Sequence, residues 1–227
     1  SSWECAYPAL QDALDEANEA TGAYEIRVAE GTYYPDLENV DNDGDGTPEH
    51  VDGSRDESFH IERDGIKVRG GYPSGGGTRD PDANTVTLSG DIDADDGGAD
   101  DPFAPNTDTD GDASTPTQTD HIRGSNAYHV VEMGAAGVSI TDETVLTGLI
   151  VTAGLSNDSS FPNNVGGGMY CDATTSAGQC SPTIRNVTFR GNAGNFGGGL
   201  ALDVETPSGS SGQAAPIISN VLFNGNA

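Results

Sequence analysis

Two stretches of this 227-residue chain are near copies of one another, and this constrains the fold more than any other feature. PTIRNVTFRGNA at 182–193 aligns with PIISNVLFNGNA at 216–227, a spacing of 34 residues. Pro182 matches Pro216, Ile184 matches Ile218, and Asn186-Val187 matches Asn220-Val221. Phe189 matches Phe223, and Gly191-Asn192-Ala193 matches Gly225-Asn226-Ala227. A second element, NNVGGGMY at 163–170, is echoed by GNFGGGLA at 194–201, and VLTGLIVTAG at 145–154 is a weaker earlier copy of the first. A fixed period in this range marks units that cannot bury an apolar face alone and therefore stack.

The residue types favour strands over helices in the repeat. Val187 and Phe189 sit two apart and face one way, Asn186 follows a bend, and the glycine triplets allow sharp corners. Equivalent residues in a parallel stack lie about 4.8 Å apart. Phe189 is therefore expected to stack on Phe223, and Asn186 to form a ladder with Asn220. The competing fold is a sandwich with two similar hairpins.

Elsewhere the pattern is also β. Leu10, Ala13, Leu14 and Ala17 fall at helical spacing within residues 8–20, and Thr21-Gly22 ends that helix. Short β-branched segments follow: Ile26 to Val28, Phe59 to Ile61, Ile66 to Val68, Val86 to Ile92, Tyr128 to Val131, Val145 to Val151, Thr183 to Phe189 and Pro216 to Phe223. A single β-solenoid domain over 1–227 is expected. It divides into a cap and helix at 1–24, early coils with acidic loops at 25–142, and regular repeat coils at 143–227.

Phe189-Arg-Gly-Asn192, Phe223-Asn-Gly-Asn226 and Gly197-Gly-Gly-Leu200 resemble the F-x-x-N and G-G-A-hydrophobic elements of right-handed parallel β-helix proteins with polymorphic-outer-membrane-protein-type repeats. The third position of the second element is glycine here where that family has alanine. The opening, with SSW at 1–3, LQDAL at 10–14 and IRVAEGTY at 26–33, is similar to that of many secreted bacterial β-helix proteins. The resemblance implies an all-β, right-handed parallel β-helix with a short N-terminal capping helix and long acidic loops. It also implies a secreted or surface protein, adhesin-like, with polysaccharide lyases and hydrolases among the relatives.

Charge excludes several functions. Asp and Glu number 37 against 9 Lys and Arg, a formal charge of −28, with Lys67 the one lysine. Such a chain lacks the basic stripe that nucleic acid or an anionic membrane surface requires. No apolar run approaches the ~20 residues of a membrane helix. Ser1 is taken as the residue left after removal of a leader, giving an extracellular or cell-surface location.

The acidic residues are unevenly placed: 23 of the 37 lie within 36–120, whereas 181–227 balances Asp203 and Glu205 against Arg185 and Arg190. The charge thus belongs to inserted loops. Asp41, Asp43 and Asp45 before Gly46 fit a D-x-D-x-D-G calcium loop, with Asp52 at the twelfth position and Asp36, Glu38 and Glu49 nearby. Asp91, Asp93 and Asp95 form a second group; alternation with Val86, Leu88 and Ile92 predicts that Asp91 and Asp93 face outward. Asn106, Asp108, Asp110 and Asp112 form a third. Structural Ca2+ is the cofactor these groups suggest, because carboxylates this dense repel one another unless neutralised.

Cys171 and Cys180 enclose eight residues and are expected to form a disulfide if the protein is secreted, or else stand as two free thiols; Cys5 is alone. His60 and His129 are expected on strands, packed or at the surface rather than catalytic. The function expected is a non-catalytic, calcium-stabilised, surface, adhesive or fibre-forming solenoid. Its open C-terminal coil is expected to self-associate or to continue into a longer chain, and a glycan or cell-surface ligand is a further partner. One alternative is a polysaccharide lyase or glycoside hydrolase using Arg185, Arg190 or the Asp91–Asp93 pair. Another is a carbohydrate-binding module built on Tyr33, Tyr34, Tyr72, Phe103 and Phe161.

Overall fold

The structure, a computed structural model, describes residues 3–38, 49–50, 53–92, 122, 125–134, 138–174, 178–204 and 212–227. The main helix, α1 (Leu10–Glu19), turns Leu10, Leu14 and Ala17 inward. Strands follow as β1 (Tyr24–Ala29), β2 (Gly31–Tyr33), β3 (Leu37–Glu38), β4 (Glu49–His50), β5 (Phe59–Ile61), β6 (Ile66–Tyr72) and β7 (Val86–Ser89). Then come β8 (Val131–Met133), β9 (Val145–Thr152), β10 (Leu155–Ser156), β11 (Met169–Asp172), β12 (Thr183–Arg190), β13 (Ala193–Gly194), β14 (Ala201–Asp203) and β15 (Ile217–Asn224).

The molecule is mostly β, and its main sheets are parallel. One runs β1-β6-β9-β12-β15, with β2 and β7 paired alongside, and the other runs β5-β8-β11-β14. In both, neighbours in space follow chain order, and the chain alternates between the two sheets. Parallel neighbours need a long return path, and the second sheet lies on that path. One apolar core joins the two sheets, with Ile184, Val187 and Phe189 meeting Met169, Cys171 and Met133.

Register shows where the repeat is regular. Thr183 of β12 lies opposite Ile217 of β15 on one side and Val145 of β9 on the other, so successive strands here are separated by similar lengths of chain. On the other side of β9, Val145 lies opposite Lys67 of β6, across a far longer stretch of sequence. The early step is longer because it contains the acidic stretch 93–121 and an excursion between β6 and β7.

Each eight-residue strand bends at a left-handed residue. Gly148, Asn186 and Asn220 have φ of 71°, 52° and 51° and occupy equivalent places in β9, β12 and β15. Asparagine is one of the few side chains that tolerates this conformation. The bend resets the inward–outward alternation, so Ile184 and Val187, three apart, are both buried. The expected ladder forms here: Asn220 Nδ2 donates to Asn186 Oδ1 at 2.6 Å.

The two ends of the strand stack differ. α1 packs on β1 and β5. Its Asn18 donates to the His60 carbonyl at 3.1 Å and accepts from the Glu62 N–H at 3.0 Å, so helix side chains satisfy the backbone around β5. Arg63 returns the contact by donating to the Ala17 carbonyl at 2.8 Å. A strand edge covered this way is closed to further pairing. At the opposite end, β15 lies at the edge of its sheet, and nothing among the described residues pairs with its outer side.

Candidate functional site

Most of the expected calcium ligands, Asp41, Asp43, Asp45, Asp52, Asp93, Asp95, Asn106, Asp108, Asp110 and Asp112, lie outside the described residues. Asp91 lies within them and corrects the sequence expectation: it is buried, 3% exposed, rather than facing outward. The strand ends at Ser89, where Gly90 comes so close to the Ala153 carbonyl that a Cβ would sit 2.7 Å from it. Alternation therefore stops, and the Asp91 backbone forms an isolated antiparallel bridge with that of Asn126. Burial, with the charges of Asp91 and Asp36 adding to it, raises the Tyr34 phenol above its ordinary pKa. Asp36 is also 3% exposed. Two buried carboxylates thus stand near one phenol, at the points where the chain enters the acidic stretches after Glu38 and Ile92. Among the described residues, no three His, Cys, Asp or Glu side chains converge in a metal-binding group.

A second group lies on the other sheet. His60, Glu132 and Tyr170 share one rank across β5, β8 and β11. His60 Nδ1 is 3.4 Å from Glu132 Oε2. Burial raises the Glu132 carboxyl; His60 opposes this, and Asp172, Glu62 and Asp56 add to it. His129 stacks on Tyr170 with ring centroids 5.0 Å apart, and Phe161 meets Tyr170 edge-on at 6.0 Å. The His129 Nδ1 lies 3.1 Å from the Gly166 carbonyl, which can only accept, so Nδ1 carries the proton in the neutral ring. Burial pushes this imidazole below its ordinary pKa, and burial with the nearby carboxylates raises the Tyr170 phenol. His129 precedes β8 rather than lying on a strand. This constellation escaped the sequence reading because its members are widely and unevenly separated along the chain and belong to no repeated motif. Strand register assembles His60, Glu132 and Tyr170, and His129 joins them by stacking from just before β8.

The residues considered for carbohydrate work do not form one surface. Tyr72 packs against Trp3 at 5.8 Å with Arg27 over its ring, Tyr33 donates to the Ala29 carbonyl, and Phe161 lies by the second sheet. Phe103 is outside the described residues. Arg185 is exposed before the bend, and Arg190 is half-buried at the strand end. Cys171 and Cys180 are joined as a disulfide with Cα atoms 5.7 Å apart, both buried in the core, while Cys5 is exposed.

The third feature is the outer edge of β15. Phe189 is fully buried, but its partner Phe223 is 47% exposed; Ile184 is fully buried, but Ile218 is 45% exposed. Ile217 and Leu222, which pair with Thr183 and Thr188 on the other face of the sheet, are 50% and 56% exposed. Comparison with protein-family models, with curated proteins and with solved structures returns no match.

Proposed function

We propose that the chain is a right-handed β-solenoid of the polymorphic-outer-membrane-protein-like kind, acting outside the cell or on its surface. It serves as a non-catalytic structural, adhesive or fibre-forming element, stabilised by calcium and joined to further chain through the edge of β15. The observation that carries this reading is same-rank stacking. Phe189 lies on Phe223, Asn192 bonds Asn226, and Asn186 bonds Asn220, each pair one repeat apart. Strands that alternate between two parallel sheets in chain order are what a solenoid winding produces.

The extracellular assignment draws on the Cys171–Cys180 disulfide, a bond that persists in oxidising compartments. No described helix is long and apolar enough to cross a membrane. Calcium draws on the acidic loop motifs and on buried Asp36 and Asp91 at the margins of those loops. Carboxylates of the acidic stretches would hold the ion, whose role is to neutralise and tie down the inserts.

An enzymatic reading has one observation in its favour, the raised Glu132 carboxyl beside His60 and Asp172. Incubation with a polysaccharide panel tests the choice. Silence across the panel, with retention on glycan or cell-surface preparations, is expected. Release of reducing-end or unsaturated products, abolished by Glu132→Gln, would replace the structural reading with a catalytic one.

A further inference from the structure

Strand register gathers cations on the outward face of the first sheet, although the linear sequence shows no basic stripe. Arg27 of β1 lies opposite Arg69 of β6, Arg69 opposite Thr147 of β9, and Thr147 opposite Arg185 of β12. Arg79, from the excursion between β6 and β7, fills the one gap. Its Nη2 donates to Thr147 Oγ1 at 3.3 Å and its Nε to the Gly70 carbonyl at 2.7 Å. The row therefore reads Arg27, Arg69, Arg79, Arg185 over three strand steps, about 14 Å. Lys67 lies two residues before Arg69 on the same face, so five of the nine Lys and Arg side chains meet here.

The fold makes room for this row. Gly148 stands where β12 and β15 carry Asn186 and Asn220. A Cβ at that position would overlap Arg79 Nη2, so the repeat gives up its bend asparagine where the guanidinium is seated on Thr147.

The two halves of the row differ. Glu25 bridges the first: its Oε1 accepts from Arg27 Nε at 2.8 Å, and its Oε2 lies 3.1 Å from Arg69 Nε. The Arg27 bond, with the Arg69 charge added, holds that carboxyl below its ordinary pKa. Lys67 pairs with Glu143 at 3.8 Å. Among the described residues, no carboxylate pairs with Arg79 or Arg185. Like charges side by side across strands are destabilising until an anion joins them.

We propose that the Arg79–Thr147–Arg185 half is a carboxylate-binding site, and that it docks an acidic segment of a partner polypeptide. Glu25 shows the chemistry that fits. A Glu or Asp of the partner spans Arg79 and Arg185 as Glu25 spans Arg27 and Arg69, through charge-assisted hydrogen bonds. An acidic glycan suits the place less, because the rings at this row, Tyr72 with Trp3 against it, lie at the Arg27 end. The overall charge of −28 is screened beyond about 8 Å at physiological ionic strength, so the local cations decide. The inference goes beyond the structural role proposed above and needs only the strand register; calcium plays no part in it.

The test titrates the full chain into a labelled oligoglutamate peptide and follows fluorescence anisotropy. Saturable binding that weakens as sodium chloride rises is expected. Arg185→Gln, at an exposed side chain, should weaken it about tenfold. Gly148→Asn installs the residue that β12 and β15 carry at the same bend and displaces Arg79, and it should weaken binding to a similar degree. Arg190→Gln removes an equal charge outside the row and should leave affinity unchanged. Absence of saturable binding overturns the proposal, as does equal weakening by Arg190→Gln, which would make net charge the cause. Binding of polygalacturonate through Arg185 without binding of oligoglutamate overturns it in favour of an acidic glycan.

Discussion

The rings of Phe189 and Phe223 lie 5.1 Å apart and only 7° from parallel, at equivalent positions of adjacent strands. Their burial differs sharply, with Phe189 inside the core and Phe223 half in solvent. Truncating the inner ring removes packed volume on all sides, so Phe189→Ala should cost about 3–5 kcal/mol. Phe223→Ala should cost clearly less. Denaturant melts of both variants check the ranking; equal costs, or a loss below about 1 kcal/mol for Phe189→Ala, would contradict the register.

The bend at Asn186 separates backbone demand from side-chain bonding. Asn186→Gly keeps the left-handed conformation and loses only the bond from Asn220. Asn186→Val places a β-branched residue at φ of 52° and should cost about 1–2 kcal/mol more than the glycine variant. Paired thermal melts measure that difference.

At the corner, Gly166 takes a left-handed φ of 67°, whereas Gly168 answers to space. A Cβ on Gly168 would stand 2.5 Å from the Gly199 carbonyl and 3.0 Å from the Asn192 side chain. This accounts for glycine at the third position of that triplet. Gly168→Ala should destabilise by about 1–3 kcal/mol in denaturant unfolding.

Asp64 gives stability an acid limit. Burial alone would raise its carboxyl. The Thr141 N–H at 2.9 Å and the Thr141 and Thr144 hydroxyls at 2.7 and 2.8 Å outweigh that and hold the pKa below its ordinary value. A depressed carboxylate contributes fully above the unfolded aspartate value of about 3.9 and loses its contribution as pH falls through the lower folded value. Asp64→Asn should therefore lower the melting temperature at neutral pH, with the gap to wild type closing below about pH 4. A gap that stays constant through the acid range would contradict this role.

The parts of the fold that recur were legible in the sequence, because stacking writes the same residue at the same interval. Phe189 with Phe223, Asn186 with Asn220 and the two glycine triplets all come from that source. The helix was legible for a different reason: its apolar stripe over Leu10, Leu14 and Ala17 is the face that packs. Asp91 was misread because alternation was extended past Gly90, where close approach to Ala153 ends the strand. The His60, Glu132, His129 and Tyr170 group was invisible, since insertions of unequal length set its register. Most of the expected calcium ligands lie in those same insertions, outside the described residues.

A thermal melt with calcium, then with chelator, at two sodium chloride concentrations tests most directly whether calcium stabilises the acidic inserts of the proposed solenoid. A large drop in melting temperature is expected on chelation, one that sodium chloride does not restore and that added calcium reverses. A melting temperature unchanged by chelation and raised by salt alone would contradict it, making the acidic stretches a solvation device rather than a metal site.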